Sequence, residues 1–278
     1  MSEQKFLSLQ KSIRSRESLL IAFSGGIDSA LLLKVAFDLL GNKVAACTAI
    51  SPSLPERELL EARKFTQNLG VRHYMIEYDE LEIPGYSDNG SDRCYLCKRE
   101  LFSRMNFLAK EKGFFSMAYG ANLDDLKETR PGMKAAGEFQ VAAPLLEAGF
   151  AKSDIRLLAR ELGLSVWNKP AMACLSSRIP SGSLITHSKL KQVEAGEQVL
   201  RNAGFGQVRV RHHDGIARIE ILISDLSRFE DAGLRDAVVK SFKEIGFQYV
   251  TLDLEGYRAG SVSGGPVMVQ WQRTLPDK

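Results

Sequence analysis

One apolar stretch that breaks at two glycines and resumes as a helix constrains this chain more than any other feature. Residues 19–23 (Leu-Leu-Ile-Ala-Phe) have the length of a buried strand, and residues 27–40 predict an apolar helix that ends at Gly41. A helix N-terminus directs unpaired N–H groups and a positive dipole end toward an anion, and glycines let that anion approach the backbone. Residues 24–29 are therefore predicted to form a phosphate-binding loop.

The side chains of this loop refine the prediction. Ser24 and Ser29 can add hydroxyl donors, whereas the carboxylate of Asp28 would repel a phosphate unless a cation lies between them or Asp28 binds the loop's own amides. An ordinary strand–helix turn is the alternative. The full string Ser-Gly-Gly-Ile-Asp-Ser is more specific than a glycine pair, and it matches neither G-x-x-x-x-G-K-[ST] nor G-x-G-x-x-G.

Composition limits the class of protein. The chain has 278 residues, of which 44% are hydrophobic and 26% charged, and its net charge is +3. These values indicate one large or two modest globular domains and no strong attraction to nucleic acid. The N-terminus lacks the features of a signal peptide, no apolar run is long enough to span a bilayer, and four cysteines do not indicate a disulfide framework. We expect a cytoplasmic protein.

Alternating strand and helix patterns predict the fold of the first part of the chain. An amphipathic helix is expected within residues 3–17, and a polar loop over 81–91. The remaining segments predict a doubly wound, mostly parallel α/β sheet, with strands at 43–50, 71–78 and 116–120 and helices at 56–69, 97–112 and 153–162, the last capped by Ser153.

The pattern changes after Pro180. Residues 181–278 predict a second, smaller α+β domain, so that the first domain covers residues 1–180. Its order is helix, strand, strand, helix, strand, and Asp214-Gly215 predicts a tight hairpin between the first two strands. The elements are expected at residues 188–203, 207–213, 216–223, 234–245 and 248–254.

A second polar loop follows the strand predicted at residues 116–120. It contains Gly120, Asn122, Asp124 and Asp125, and Arg130 comes shortly afterwards. Ligands of open α/β sheets bind beyond the carboxyl ends of the strands, where Gly120 allows close approach, Asn122 can bind a base or ribose, two carboxylates can hold Mg²⁺, and Arg130 can neutralise phosphate. A solvated acidic turn is the alternative.

Three of the four cysteines form a candidate chemical group. Cys94 and Cys97 form a C-x-x-C pair, Cys174 lies among small residues near the predicted domain boundary, and Cys47 lies inside an apolar strand and is assigned to the core. A redox pair, a zinc site, an iron–sulfur cluster with three thiolate ligands, and buried structural cysteines are the open alternatives. Arg178 is expected to lower the pKa of Cys174 and favour its thiolate.

A row of cationic side chains is predicted on the first strand of the second domain. Arg209, Arg211 and His213 alternate and therefore share one face. Such a row suits a phosphate or carboxylate ligand, and a solvated strand face is the alternative.

These motifs together resemble a known family. The string S-G-G-I-D-S resembles the pyrophosphate loop of the PP-loop ATP pyrophosphatases, which have an adenine nucleotide alpha hydrolase-like sheet. With C-Y-L-C-K, G-A-N-L-D-D, R-P-G, P-A-M-A-C-L-S-S-R-I-P and V-R-V-R-H-H, nearly the whole chain resembles the LarE family. Its members are ATP-dependent sulfur transferases of nickel-pincer nucleotide biosynthesis, and they convert a carboxylate of pyridinium-3,5-biscarboxylic acid mononucleotide to a thiocarboxylate.

The resemblance implies roles for the matched residues. Ser24, Gly25, Gly26, Asp28 and Ser29 would hold the phosphates of ATP and the leaving pyrophosphate. Asp124 and Asp125 would serve Mg²⁺ or ribose, Lys98 would neutralise charge during adenylation, and Arg209 and Arg211 would bind the phosphate of the substrate.

The family uses two sources of sulfur. Some members sacrifice the cysteine that matches Cys174, and others bind a [4Fe-4S] cluster through residues that match Cys94, Cys97 and Cys174. The complete trio favours the cluster type. A small nucleotide substrate and a homo-oligomer are expected, and neither a membrane nor a nucleic acid is an expected partner.

Three rival functions remain. A PP-loop tRNA thiolase requires a large basic surface. A nucleotide-binding or redox-sensing module would bind ATP without releasing pyrophosphate. An amide-forming synthetase does not require the three cysteines.

Overall fold

A computed structural model describes residues 3–127, 131–170 and 172–258. Contacts between backbone segments divide the chain into two compact units, residues 1–191 and 192–278. The boundary expected from the sequence, between residues 180 and 181, stays a prediction. Each unit is described by itself below.

The first unit is built on a parallel four-stranded sheet. Its strands are β1 (Leu19–Ala22), β2 (Val44–Ile50), β3 (Arg72–Glu77) and β4 (Ser116–Tyr119), in the order β3-β2-β1-β4. β1 pairs in parallel with β2 on one side and with β4 on the other. The loops that follow β1, β2 and β4 therefore leave the same edge of the sheet.

Of the residues that the structure describes, seven α-helices lie wholly within this unit. They are α1 (Glu3–Arg14), α2 (Ile27–Leu40), α3 (Glu56–Leu69), α4 (Arg93–Lys112), α5 (Pro131–Glu138), α6 (Pro144–Glu147) and α7 (Lys152–Glu161). Short 3₁₀ turns lie at Gly41–Lys43, Glu80–Glu82, Leu123–Lys127 and Leu175–Arg178.

The sheet separates two apolar cores. Leu19 and Ile21 of β1 pack with α1, α2 and α7, whereas Leu20 and Ala22 pack with α4 and α5. This alternation along one strand places helices on both faces, as in a doubly wound sheet. The predicted fold class is confirmed, and Cys47 lies fully buried in the second of these cores.

The second unit contains a three-stranded sheet, and α8 (His187–Asn202) runs across the boundary into it. Its other elements are β5 (Val208–His213), β6 (Ile216–Ile221), a 3₁₀ helix (Ile223–Glu230), α9 (Ala232–Ile245) and β7 (Tyr249–Leu252). β5 and β6 are antiparallel, and β7 pairs in parallel with β6. The hairpin predicted at Asp214-Gly215 is confirmed, since both residues have the positive φ angles of a type I′ turn, 41° and 97°.

Some details of the sequence prediction are wrong. α4 begins at Arg93 rather than Cys97, so that both cysteines of the C-x-x-C pair lie in the first turns of one helix. Ser153 does not cap α7, because the helix begins at Lys152 after Ala151, whose N–H donates to the carboxylate of Asp154 at 3.0 Å. Helices α5 and α6 were not predicted from the sequence, since they are short and lie next to glycines.

Within the part of the chain that the structure describes, every helix is too short or too polar to cross a membrane.

Burial predicts that Cys47 is chemically inert. Burial raises the pKa of its thiol to about 12, so that only roughly one in 10⁴ molecules carries the thiolate at pH 8. Cys94 is exposed. In native protein treated with iodoacetamide, mass spectrometry should find Cys94 alkylated well before Cys47, which should react only in denaturant. Equal rates at the two cysteines would contradict the assignment of Cys47 to the core.

Candidate active site

The predicted phosphate loop lies between β1 and α2 and is closed by its own two serines. Ser29 Oγ donates to the carbonyl of Gly26 at 3.1 Å and accepts from the N–H of Ser24 at 3.3 Å. The N–H of Gly26 donates to Ser24 Oγ at 3.3 Å. Gly25 has a φ of +72°, a conformation that favours glycine. Gly26 precedes α2 and has no side chain that could cap it, so the helix N-terminus is well placed for an anion.

The second predicted loop lies directly against the first. β4 pairs with β1, and the backbone of Gly120 reaches the first turn of α2. A Cβ atom at Gly120 would lie 2.7 Å from the nitrogen of Ser29 and 2.9 Å from the carbonyl carbon of Asp28. Only glycine permits this approach, so Gly120 is required for the two loops to meet.

Asp28 has a cationic partner that sequence reasoning missed. Lys152 Nζ lies 2.5 Å from Asp28 Oδ2, and Asn122 Nδ2 donates to Asp28 Oδ1 at 3.4 Å. Lys152 is the first residue of α7, and its side chain is about one-third exposed. The ammonium of Lys152 therefore offsets the repulsion that is expected between Asp28 and a bound phosphate.

The carboxylates of the second loop hold backbone groups. Asp124 Oδ2 accepts from the N–H of Lys152 at 2.7 Å, and Asp125 Oδ2 accepts from the N–H of Asn122 at 3.0 Å. In the described ranges, no three His, Cys, Asp or Glu side chains are placed to share a metal ion. Mg²⁺ is usually held through one or two carboxylates together with substrate phosphates, so the two aspartates still fit an ion shared with ATP. That role stays a prediction, and Arg130 lies outside the described residues.

A hydrogen-bonded relay of Thr48, His73 and Thr66 holds Phe23, the residue that precedes the phosphate loop. Thr48 Oγ1 donates to the carbonyl of Phe23 at 2.6 Å, and His73 Nε2 lies 2.7 Å from the same hydroxyl oxygen. His73 Nδ1 lies 2.9 Å from Thr66 Oγ1 on α3. Because the proton of Thr48 goes to Phe23, His73 donates from Nε2. Burial, with the charge of Arg63, lowers the pKa of His73 to about 4, which agrees with the neutral form.

The three candidate cysteines share one electrostatic environment. Cys94 and Cys97 lie in the first turns of α4, and Cys174 directly precedes the 3₁₀ turn Leu175–Arg178. The pKa of Cys97 is raised to about 12, chiefly by burial; Glu80, Cys174 and Cys94 contribute to the rise, and Lys98 opposes it. The structure therefore brings the trio into one region.

The net pKa shift at Cys174 favours its thiol form. Burial raises its pKa, Cys94 and Glu80 add to the rise, and Arg93 and Arg178 oppose it. Arg178 lowers the pKa of Cys174, as expected, but desolvation outweighs Arg93 and Arg178, so the net shift does not favour the thiolate. The guanidinium instead holds the backbone, donating to the carbonyls of Ala173 at 2.7 Å and Cys174 at 3.0 Å.

A buried carboxylate, Glu80, organises this region and was missed in the sequence. It is 3% exposed, and its two oxygens accept from the N–H and hydroxyl of Ser53 at 3.2 and 2.8 Å. Cys97 Sγ lies 3.7 Å from Glu80 Oε1, and the carbonyl of Ser53 accepts from the N–H of Leu175 at 2.9 Å. Ser53 therefore connects the environments of Cys97 and Cys174. Burial raises the pKa of Glu80, and hydrogen bonds from Ser53 and Ser51 oppose the rise.

The segment after Cys174 is fastened to the chain that leads into α4. The hydroxyls of Tyr86 and Ser176 lie 2.8 Å apart, and Asn89 Nδ2 donates to the carbonyl of Pro180 at 2.7 Å. Arg93 Nη1 donates to the carbonyl of Ser176 at 3.2 Å. Polar groups buried with their partners in this way specify one arrangement of the two segments.

The trio fits an iron–sulfur cluster by the chemistry of its donors. A four-iron cluster is larger than one ion, so its three sulfur ligands need not converge on one point. Lys98, Arg93 and Arg178 interact with these cysteines and supply positive charge. The zinc alternative gains no fourth ligand in the ranges described. Lys98 itself lies with Nζ 5.7 Å from the ring centre of Phe102, and its role in adenylation stays a prediction.

Two members of the cationic row of the second unit, Arg209 and Arg211, are buried, and His213 is half-buried. Arg211 makes a two-pronged ion pair with Glu220, with distances of 2.9 and 3.0 Å. Arg209 lies over the ring of Tyr257 and donates to the carbonyl of Val208 at 2.8 Å. The alternative of a solvated strand face is therefore wrong. Binding of a substrate phosphate by Arg209 and Arg211 stays a prediction.

The chain is similar to several known proteins. The family model described as NAD synthase matches residues 2–127. The chain is 42% identical over 264 residues to an uncharacterized protein of Synechocystis sp., covering 95% of this chain and 98% of that protein. It is 38% identical over 260 residues to the pyridinium-3,5-bisthiocarboxylic acid mononucleotide synthase of Lactiplantibacillus plantarum, covering 93% and 94%. The tRNA-specific 2-thiouridylase of Azorhizobium caulinodans is 27% identical, covering 64% of this chain and 55% of that enzyme.

The close approach at Gly120 predicts that even a methyl group is costly there. Gly120→Ala should destabilise the protein by about 1–3 kcal/mol through overpacking against the first turn of α2. Gly137→Ala is the matched control, because a Cβ at Gly137 meets nothing within 4 Å. Chemical denaturation should show a loss of stability for Gly120→Ala alone. Equal stability of the two variants would contradict the contact between the loops.

The relay predicts a pH dependence of stability. Unfolded His73 takes up a proton near pH 6.5, whereas the folded residue does so near pH 4. Stability is therefore complete above pH 6.5 and falls as the pH drops toward 4, by about 1–3 kcal/mol for this partly buried group. Urea titrations of wild type and His73→Gln should lie closer together at pH 4 than at pH 7. His187→Gln, at an exposed histidine, should keep the wild-type dependence; a wild-type slope in His73→Gln would show that His73 is not responsible.

Proposed function

Because the chain belongs to the family that includes pyridinium-3,5-bisthiocarboxylic acid mononucleotide synthase, we propose that it transfers sulfur to a carboxylate of pyridinium-3,5-biscarboxylic acid mononucleotide with the use of ATP. One observation carries the proposal. The phosphate loop follows β1, and the segment of Cys174 is bonded through Leu175 to Ser53 in the loop after β2. β1 and β2 are parallel neighbours, so both loops leave the same edge of the sheet.

The first step is adenylation of the substrate. A carboxylate oxygen attacks the α-phosphorus of ATP, the bond to the β-phosphate bridging oxygen breaks, and pyrophosphate leaves. Ser24, Ser29 and the N–H groups at the start of α2 would bind the departing phosphates. Lys152 would shift from Asp28 toward the new negative charge, and Lys98 would supply a second cation. Asp124 and Asp125 would share Mg²⁺ with the phosphates.

The second step replaces AMP by sulfur. In the sacrificial route, the thiolate of Cys174 attacks the acyl carbon and AMP leaves with the carboxyl oxygen. Loss of the Cα proton of Cys174 then breaks its Cβ–Sγ bond, which leaves a thiocarboxylate on the product and dehydroalanine in the chain. Arg93 and Arg178 would stabilise the thiolate that this route requires.

A [4Fe-4S] cluster held by Cys94, Cys97 and Cys174 would instead supply a sulfide as the nucleophile and spare the protein. We favour this route, because the two additional cysteines have no part in the sacrificial one. Glu80 would keep Cys97 in position through its contact with the sulfur atom. The hydrogen bonds of Leu175, Ser176 and Arg178 would keep Cys174 in position.

A tRNA thiolase is the second candidate, since tRNA-specific 2-thiouridylases are among the relatives. The chain spans about half the length of those enzymes, and its net charge of +3 offers little attraction for the many phosphates of a tRNA. Thiolation of tRNA by the purified protein would favour this candidate.

The decisive experiment measures iron, sulfide and product with the same preparations. After anaerobic reconstitution, wild type and the control Cys47→Ala should contain iron and sulfide near four atoms of each per chain, as a [4Fe-4S] cluster requires. Cys94→Ala and Cys97→Ala should lose most of both. With ATP, substrate and added sulfide, wild type should release pyrophosphate and form thiocarboxylate over many turnovers.

Two outcomes would contradict parts of this proposal. If wild type binds no iron and Cys174 loses the mass of one H₂S after a single turnover, the sacrificial route replaces the cluster route. If ATP binds but the substrate elicits no pyrophosphate, sulfur transfer by adenylation is wrong and a sensing or binding module takes its place.

A further inference from the structure

Lys169 joins the phosphate loop to the segment that carries Cys174. Its ammonium lies 2.5 Å from Glu58 Oε2 and 2.8 Å from Glu61 Oε2 on α3, and it donates to the carbonyl of Gly25 at 3.3 Å. The side chain is only 14% exposed. A buried lysine is stable when its charge is balanced, as it is here by two carboxylates.

The backbone around Lys169 is also held. Arg156 of α7 donates to the carbonyls of Trp167 at 3.0 Å and Lys169 at 3.2 Å. The position of Lys169 is thus fixed by α7 through its backbone and by α3 and the phosphate loop through its side chain.

Cys174 follows shortly after this fixed point. The five residues from Lys169 to Cys174 span at most roughly 17 Å even when fully extended. Beyond Cys174, the N–H of Leu175 donates to the carbonyl of Ser53 at 2.9 Å. The sulfur-bearing segment is therefore bonded on one side to the loop after β1 and on the other to the loop after β2.

We propose that Lys169 is a positioning residue that sets where Cys174 lies relative to the phosphate loop, so that the sulfur reaches the acyl carbon of an adenylate formed there. The inference rests on the proposed function. If Lys169 only stabilised α3, its contacts with Glu58 and Glu61 would be enough. Its additional hydrogen bond to the carbonyl of Gly25 connects it to the phosphate loop, at the residue whose φ is +72°.

This role affects one chemical step more than the other. Adenylation depends on the phosphate loop, which keeps its own serine bonds without Lys169. Attack by sulfur depends on the distance between two segments, and a displacement of about 1 Å can cost on the order of 100-fold in rate. Without Lys169 the adenylate should therefore still form, but water should hydrolyse it, which regenerates the carboxylate and releases AMP.

The test measures pyrophosphate and thiocarboxylate in the same reaction, which contains ATP, substrate and added sulfide, for Lys169→Gln, Lys169→Arg and the control Lys34→Gln. Lys34 forms an exposed pair with Asp38 on α2 and takes no part in the site. Lys169→Gln should release pyrophosphate within about threefold of wild type but form at least ~10-fold less thiocarboxylate per pyrophosphate. Lys169→Arg should recover most of that ratio, and Lys34→Gln should match wild type.

The remaining outcomes overturn the inference. If pyrophosphate and thiocarboxylate fall in proportion in Lys169→Gln, Lys169 only supports the phosphate loop; if neither falls, it has no role in the reaction. Should Lys169→Gln fail to fold, the double variant Glu58→Gln/Lys169→Gln, which restores the charge balance, carries the same test. Absence of pyrophosphate from wild type itself would instead show that the proposed function is wrong.

Discussion

The parallel pairing of β1 between β2 and β4 is the constraint on which the rest of the first unit depends. Parallel neighbours end at the same edge of a sheet, so three loops from distant parts of the sequence meet there. The meeting is close, because the backbone of Gly120 lies against the first turn of α2 without a side chain between them. Adding residues to either strand would move one loop away from the other, while the cores on both faces would still favour the pairing.

Both lysines at this edge are paired with carboxylates before any ligand binds. Lys152 pairs with Asp28, and Lys169 pairs with Glu58 and Glu61. A cation that is already paired with a carboxylate has lost part of its hydration before a phosphate enters. Pairing with the phosphate therefore costs less desolvation free energy than it would for a fully hydrated cation. The arrangement also explains why an aspartate is tolerated in a loop built for anions.

The sequence predicted those parts that depend on local pattern. The strand of residues 19–23, the glycine turn and α2 follow from apolar periodicity and from the strong preferences of glycine, and the hairpin at Asp214-Gly215 follows from turn chemistry. Glu80, Lys152 and Lys169 could not be found in this way, because each acts across more than 25 residues of sequence. A lone charged residue in a predicted loop looks like a solvated side chain until the fold brings its partner. The thiol state of Cys174 was missed for a related reason, since burial cannot be read from neighbouring residues.

The same burial bears on the source of sulfur. A thiol whose pKa is raised is a poor nucleophile, and both Cys97 and Cys174 are in that condition beside the buried carboxylate of Glu80. A sacrificial Cys174 would have to lose its proton against desolvation, with only Arg93 and Arg178 to help. Metal binding removes this difficulty, because a bound cation replaces the proton and stabilises the thiolate that holds it. Cys97 and Cys174, whose pKa values are raised, are thus ill suited to direct attack and well suited to exchange protons for iron, which supports the proposed cluster route.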